Sequence, residues 1–467
     1  MKLVGRVEEK KILNQCLADH RSHFIAIYGR RRVGKTYLIR QHFQNSFDFY
    51  VTGLANGDMH SQLINFSQAL HNFGQEESTK VPGSWYEAFT MLTQLLEKSS
   101  CEKKVVFIDE LAWMDTPRSK FMMGLEYFWN SWASAREDIL LIGCGSAASW
   151  MINKLIRNRG GLYNRVTRRM KLSPFSLLET EKFLLSRKYK IDHYQIAQLY
   201  MALGGIPFYL DLIDPTLSIA QNIQQLFFQP DAPLQLEYDI LVRSLFDDSD
   251  THKQIIKALT LKKTGLSRKE ILKNIDIKDG GGLTRALLEL EQSDFIREYN
   301  KFGNKTRDSI YQLTDPFTLF HHRFLRNFQH DSNYWINQIN TPAINAWQGN
   351  AFEVICLLHI GPIKRALGIS GVQTSTSTWW GDGAQVDLVI DRKDQVINLI
   401  EIKFSVDEYV ITKEYDAKLR NKVSMFQQAT KTRKALWTTM LTTYGLKDNM
   451  YSGNVQRVIE MKDLFNE

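Results

Sequence analysis

The hydrophobic pattern divides this chain into stretches of different texture. Near the front, short unbroken apolar runs alternate with helical periodicity. Phe24-Ile25-Ala26-Ile27-Tyr28, Lys104-Val105-Val106-Phe107-Ile108 and Ile139-Leu140-Leu141-Ile142-Gly143 carry no polar alternation. Runs of that kind predict parallel strands covered on both faces. Another strand is expected over Phe47–Thr52, and the opening Val4–Glu9 precedes a helix-like stretch to Ala18. From residue 171 the periodicity is helical, interrupted by the turn Gly204-Gly205-Ile206-Pro207. His252–Thr260, a second helix capped at Ser267, and Leu283–Gln292 predict three short helices, with Gly280-Gly281-Gly282 breaking the chain before the third. Phe295–Tyr299 and Ser309–Leu313 then read as a hairpin around Gly303-Asn304. Toward the end, Gly349-Asn350-Ala351-Phe352-Glu353 opens an apolar helix. Ala384–Ile390 and Val396–Lys403 form a second hairpin across Asp391–Asp394.

Chemistry enters at the ends of the front strands. Gly29-Arg30-Arg31-Arg32-Val33-Gly34-Lys35-Thr36 follows the first strand and opens a helix. This is a phosphate loop: the glycines let successive N–H groups turn toward phosphate oxygens, and the helix adds its positive dipole end. Lys35 is expected to reach the β- and γ-phosphates of ATP, and Thr36 to ligate magnesium. Asp109 and Glu110 end the next buried run; Asp109 would hold Mg2+ through water and Glu110 would position the attacking water. Ser146 follows the strand 139–143, at the sheet edge where ligands sit, and is either a γ-phosphate sensor or a helix N-cap. Residues 153–171 carry Lys154, Arg157, Arg159, Arg165, Arg168, Arg169 and Lys171 without an acid. Arg165 is the residue assigned to a transition-state phosphate; the rest form a solvated basic face or a polyanion contact.

The rear hairpin holds a second chemical pattern. Residues two apart on a strand share a face, so Glu401 and Lys403 point together, and Asp387 on the neighbouring strand can meet them. Burying an acid and a lysine in an otherwise apolar strand is costly. The pattern resembles that of the PD-(D/E)xK nucleases, and the resemblance implies that Asp387 and Glu401 bind magnesium, that Glu353 could add a third carboxylate, and that Lys403 orients water. In the three-helix segment, Thr284 and Arg285 face outward and Lys301, Lys305 and Arg307 lie on the hairpin. Those positions suit DNA, whereas Glu289 and Glu291 oppose it.

Residues 1–215 resemble the AAA-related STAND ATPases of archaea and bacteria, through the phosphate loop, the acidic pair, Gly145-Ser146, Asn164-Arg165 and the Gly-Gly-Ile-Pro turn. In such proteins the lead-in Val4–Glu9 packs over the adenine. Three short helices and a hairpin resemble a winged helix-turn-helix, which in STAND proteins often serves as a regulator. Asp387 with Glu401-Ile402-Lys403 is the arrangement of the PD-(D/E)xK nucleases, and 345–465 resembles the DUF234-type domain found behind such ATPases. That likeness implies substrate-facing roles for Lys413, Tyr415, Arg420, Lys422 and Gln427. Relatives commonly carry Glu where Gln385 stands, so this site is less negative than theirs.

Together these readings give a multidomain α/β chain. A P-loop ATPase core (1–170, a parallel sheet with helices) precedes a helical lid (171–245), a winged helix-turn-helix (246–330) and a restriction-endonuclease-like α/β domain (340–467). The function expected is ATP hydrolysis coupled to DNA binding or metal-dependent cleavage, in defence or mobile-element biology. The alternatives are a regulatory STAND ATPase whose rear domains only bind, and an ATP-dependent protein-remodelling factor. DNA and further copies of the chain are the macromolecular partners this allows. The 467 residues carry a formal charge of +8, which permits a polyanionic partner. Four scattered cysteines show no zinc spacing, the start is charged, and no run approaches membrane-spanning length. A cytoplasmic protein without membrane contact is therefore expected.

Overall fold

The computed structural model describes residues 3–74, 80–156, 161–162, 164–246, 248–303, 309–326, 328, 331, 333–381 and 383–466. The chain divides into two compact units, Met1–Ser173 and Pro174–Glu467.

The front unit is built on five parallel strands: β1 (His23–Tyr28), β2 (Phe49–Thr52), β3 (Lys104–Asp109), β4 (Ile139–Gly145) and β5 (Arg168–Lys171), in the order β2-β3-β4-β1-β5. Every residue of β3 and β4 is buried, as unbroken apolar runs require when helices cover both faces. Phe24, Phe49, Phe66, Trp85, Phe89, Phe121 and Phe128 fill one side of the sheet. Each such ring removed from water contributes roughly 2–3 kcal/mol. The register pairs Tyr28 with Gly145, and Ile108 with Gly143, so β3, β4 and β1 end side by side. Their following loops therefore meet at one edge.

The rear unit begins with helices, among them Leu177–Ser186, His193–Leu203 and Glu237–Leu245. Gly204 and Gly205 take positive φ between two of them, and Pro207 opens the next helix. The helices Ser249–Leu259, Arg268–Leu272 and Gly281–Gln292 then pack with β6 (Leu266–Ser267), β7 (Ile296–Tyr299) and β8 (Ile310–Leu313), ordered β6-β8-β7. The triple glycine does not break the chain before the third helix: Gly281 and Gly282 lie in its first turn, and Gly280 precedes it.

The last sheet contains β9 (Thr374–Gly381), β10 (Ala384–Arg392), β11 (Val396–Lys403), β12 (Ala435–Thr442) and β13 (Arg457–Glu460), ordered β13-β12-β11-β10-β9. β9, β10 and β11 run antiparallel in turn, while β12 and β13 run parallel to β11. The helix Lys413–Thr430 carries Phe426 into the apolar cluster of Trp379, Val386, Val389, Ile397 and Leu399. The helix holding Glu353 opens at Pro342, not at Gly349. Thr341 caps it with its hydroxyl, and a proline at the first helical position lacks only an N–H that would be orphaned there anyway.

Candidate functional sites

The front site is assembled by the three adjacent strand ends. Gly29 takes φ 146°, and a Cβ there would stand 2.2 Å from the Leu172 carbonyl oxygen, so no side chain fits. Gly34 takes φ 89° and starts the helix Lys35–His42. Between them lie Arg30, fully buried, Arg31 and Arg32, half-buried, and Val33, buried. Lys35 is buried, and its Nζ donates to the carbonyls of Gly29 and Arg30, each at 2.9 Å. An ammonium held by its own loop's carbonyls is ready to exchange them for phosphate oxygens.

Thr36 Oγ1 donates to Asp109 Oδ2 at 2.7 Å, so the two residues expected at magnesium meet across 73 positions of chain. Glu110 takes a left-handed φ of 46° at the strand end. Its Oε2 accepts from both the Oγ (2.9 Å) and the backbone N–H (3.1 Å) of Ser146. Of the two alternatives for Ser146, the N-cap is excluded: the next short helix is preceded by Ala147 and has no side-chain cap. Ser146 is tied to the water-positioning candidate. The Cys144 thiol beside Asp109 is pushed well up by burial and then by that carboxylate.

Arg6 was missed by the sequence reading. It is buried, with φ 57°, and its guanidinium donates to the carbonyls of Val33 (3.1 Å) and Ser173 (2.8 Å) while reaching Glu9. It fastens the lead-in to the phosphate loop. A buried arginine beside Gly5 leaves no periodic trace that would have revealed this. Arg165 is exposed in the turn before β5; Lys154 is exposed too, and Arg157 and Arg159 lie outside the described residues.

In the rear unit, β10 and β11 form the expected hairpin, with Leu388 opposite Ile400. An irregularity between Val386 and Val389 bulges β10 against β9 at Asp387. Bulges re-aim side chains, and here Asp387 Oδ2 accepts from the Ile402 N–H at 3.0 Å. Glu401 is buried; its Oε2 accepts from Lys422 Nζ at 2.6 Å and from the Tyr415 hydroxyl at 3.3 Å. Burial and then Asp387 push its carboxyl up to about 7, against the pull of Lys422 and Lys403. Lys403 Nζ lies 5.4 Å from the centre of the Tyr415 ring. Glu353 is also raised, by burial and then by Asp387, with Lys263 and Lys403 opposing.

Asp387, Glu353, Glu401 and Lys403 thus act on one another, and Lys422 and Tyr415 join them. Arg420 instead pairs with Asp416, and Lys413 and Gln427 are exposed. Among the described residues, no three His, Cys, Asp or Glu side chains stand gathered as a metal cage. Glu353 pairs with Lys263 at 3.2 Å. The donor set nevertheless suits a hard cation: Glu401 Oε1 is buried with no hydrogen-bond partner among the described residues, an oxygen that a divalent ion would satisfy.

The hairpin of β7 and β8 is partly covered where its described residues approach β9. Lys301 bridges to Thr378 of β9, and Phe302 packs on Phe426. Lys305 and Arg307 lie outside the described residues. Thr284 and Arg285 are exposed as expected, while Glu289 accepts from or pairs with His252 at 2.9 Å.

Residues 3–213 match the family described as an ATPase domain predominantly from Archaea. The front unit has the P-loop ATPase fold. A Walker-type ATPase of Pyrococcus abyssi has a similar structure, with a TM-score of 0.51 at 17% identity over 69% of this chain and 96% of that one. A STAND protein with a tetratricopeptide repeat sensor from Pyrococcus horikoshii aligns with a TM-score of 0.32 at 16% identity, over 79% of this chain and 52% of that one. An uncharacterized protein of Methanocaldococcus jannaschii is 23% identical over 410 residues, 86% of this chain and 87% of that protein. No described helix is long and apolar enough to cross a membrane.

Proposed function

We propose that the chain is an ATP-driven switch whose front unit hydrolyses ATP and whose rear unit acts on DNA. The observation that carries the ATPase reading is the pair of hydrogen bonds Thr36–Asp109 and Ser146–Glu110 beside the phosphate loop. Lys35 would leave the Gly29 and Arg30 carbonyls for the β- and γ-phosphates. Glu110, steadied by Ser146, would accept a hydrogen bond from the water that attacks the γ-phosphorus, with ADP leaving. Thr36 and Asp109 would hold magnesium, whose charge offsets that of the phosphates. Arg165 is the basic residue assigned to the transition-state charge, from this copy or another.

In the rear unit, residues 246–330 read as a winged helix and 340–467 as a PD-(D/E)xK-like domain. Asp387, Glu401 and Glu353 would hold a divalent cation that activates water and neutralises the scissile phosphate. Lys403, with no ligand role, would orient the water and steady the negative charge that develops on phosphorus. A second reading is favoured by the cations already seated on the acids: with Lys422 on Glu401 and Lys263 on Glu353, the rear domain would bind its partner without cutting it. Four free cysteines, three of them buried, fit a reduced cytoplasmic setting.

The test combines nucleotide binding, ATP turnover and nucleic-acid cleavage on the full chain. Lys35→Ala should lower ATP affinity, and Glu110→Gln should retain binding but lower turnover by about a hundredfold or more. Turnover of Glu110→Gln at the wild-type rate would remove Glu110 from that role. Cleavage by wild type with magnesium or manganese, lost in Asp387→Ala and Lys403→Ala, supports the nuclease. DNA binding without cleavage under any metal selects the second reading.

A further inference from the structure

The turn Lys262–Gly265 joins the three-helix segment to Glu353, the acid on the helix Pro342–Leu358. Gly265 N–H closes it onto the Lys262 carbonyl at 2.8 Å, and Gly265 takes φ 82° with no room for a Cβ against the Tyr311 carbonyl. The turn is mounted rigidly. Gln312 on β8 donates to the Lys263 carbonyl at 2.6 Å, Arg297 on β7 fixes Gln312 at 2.7 Å, and the Tyr299 hydroxyl donates to the Thr264 carbonyl. From this mount Lys263 Nζ reaches both oxygens of Glu353, at 3.2 and 3.3 Å, and Asn350 Oδ1 at 3.4 Å.

The same segment grips the last sheet at two further places. Lys262, which also pairs with Glu270, and Lys301 lie 5.8 and 5.0 Å from the centre of the Trp380 ring. The Phe302 N–H donates to the Thr378 carbonyl at 3.0 Å, and its ring lies 4.9 Å from Phe426. Lys263 is half exposed, so its ion pair is weak in water and readily exchanged. The grip is therefore a reversible one, made at the single acid that would complete the cation site.

We propose that residues 248–303 together with 309–315 form a latch on the rear site: docking of this segment places Lys263 on Glu353, and that carboxylate joins Asp387 and Glu401 around a divalent cation only when the latch withdraws. This rests on the reading of the rear carboxylates as a metal site. The latch gives the middle segment a regulatory role in place of a DNA-reading one, and it makes cation loading the regulated step.

The experiment is direct manganese binding to the full chain without nucleotide, read by the loss of free-ion electron paramagnetic resonance signal. Wild type, Lys263→Ala, Phe302→Ala and each combined with Asp387→Ala are compared. Binding lost with Asp387→Ala isolates the rear ion from any held elsewhere. Lys263→Ala should tighten that binding about tenfold. Phe302→Ala, which loosens docking without altering charge, should tighten it as well, and amide exchange in 262–265 should speed up when manganese is added to wild type. Tightening in Lys263→Ala alone would show a local charge effect and overturn the latch. Equal Asp387-dependent binding in wild type and both variants would overturn the latch and leave the metal site standing. Absence of Asp387-dependent binding in every variant would overturn the metal site itself.

Discussion

His359 shows how much one side chain holds in place. It is buried; its Nδ1 donates to the Ile355 carbonyl at 2.7 Å, and its Nε2 accepts from the Leu177 N–H at 2.9 Å. That N–H heads the helix Leu177–Ser186, where the first donors have no partner within the helix. Only the neutral ring can accept it, and burial holds the imidazole down at about 4, well below its usual 6.5. His321 and His322 are likewise held down at about 4 by burial. The sign follows: between pH 6.5 and 4 the unfolded chain binds protons that the folded chain does not, so stability falls as pH falls. Each histidine contributes up to about 3 kcal/mol over that range. Denaturant unfolding of the full chain should show the rear transition moving to lower denaturant from pH 7 to pH 5, and His359→Gln should reduce that movement. An unchanged slope in the variant would show that His359 does not carry it.

Elements differ in how plainly the sequence announced them. The phosphate loop, the acidic pair and the Asp387/Glu401 hairpin were legible because their chemistry is local: glycine, charge and alternation sit within a few residues of one another. The helix Pro342–Leu358 was read as starting seven residues late, since Gly349 looked like a boundary while packing carries the helix through it. Ser146 could be placed at a strand end, but its bond to Glu110 spans 36 positions and required the strand order. The approach of Lys263 to Glu353 spans 90 positions and leaves no pattern in the sequence. The loop glycines allow a test at this scale. Gly29→Ala must displace the Leu172 carbonyl at the end of β5 and adopt a backbone conformation unsuited to a side chain. We expect a loss of about 2–4 kcal/mol in the front unit and impaired ATP binding. Wild-type thermal stability in that variant would contradict the geometry.

On the scale of the whole molecule, the front unit supplies a nucleotide site from the edge of a parallel sheet, and the rear unit supplies charged chemistry inside a mixed sheet. The rear sheet has an unguarded side. Among the described residues the strand neighbour of β9 is β10, and on its other flank, away from an isolated bridge at Thr378, lie backbone groups that an extended chain could take up. Phe302 and Lys301 cover part of that flank at Thr378. Lifting the hairpin would therefore do more than release Glu353: it would bare the part of the β9 edge now covered at Thr378. Phe302→Ala should scatter more light with rising protein concentration than wild type, and a charged residue in place of Ser377 should suppress the effect. Monodisperse Phe302→Ala at high concentration would show that the flank is harmless when bare. In a protein that opens to work, the same movement that admits a cation would also expose a strand able to recruit another chain, so that assembly and activation become two readings of one event.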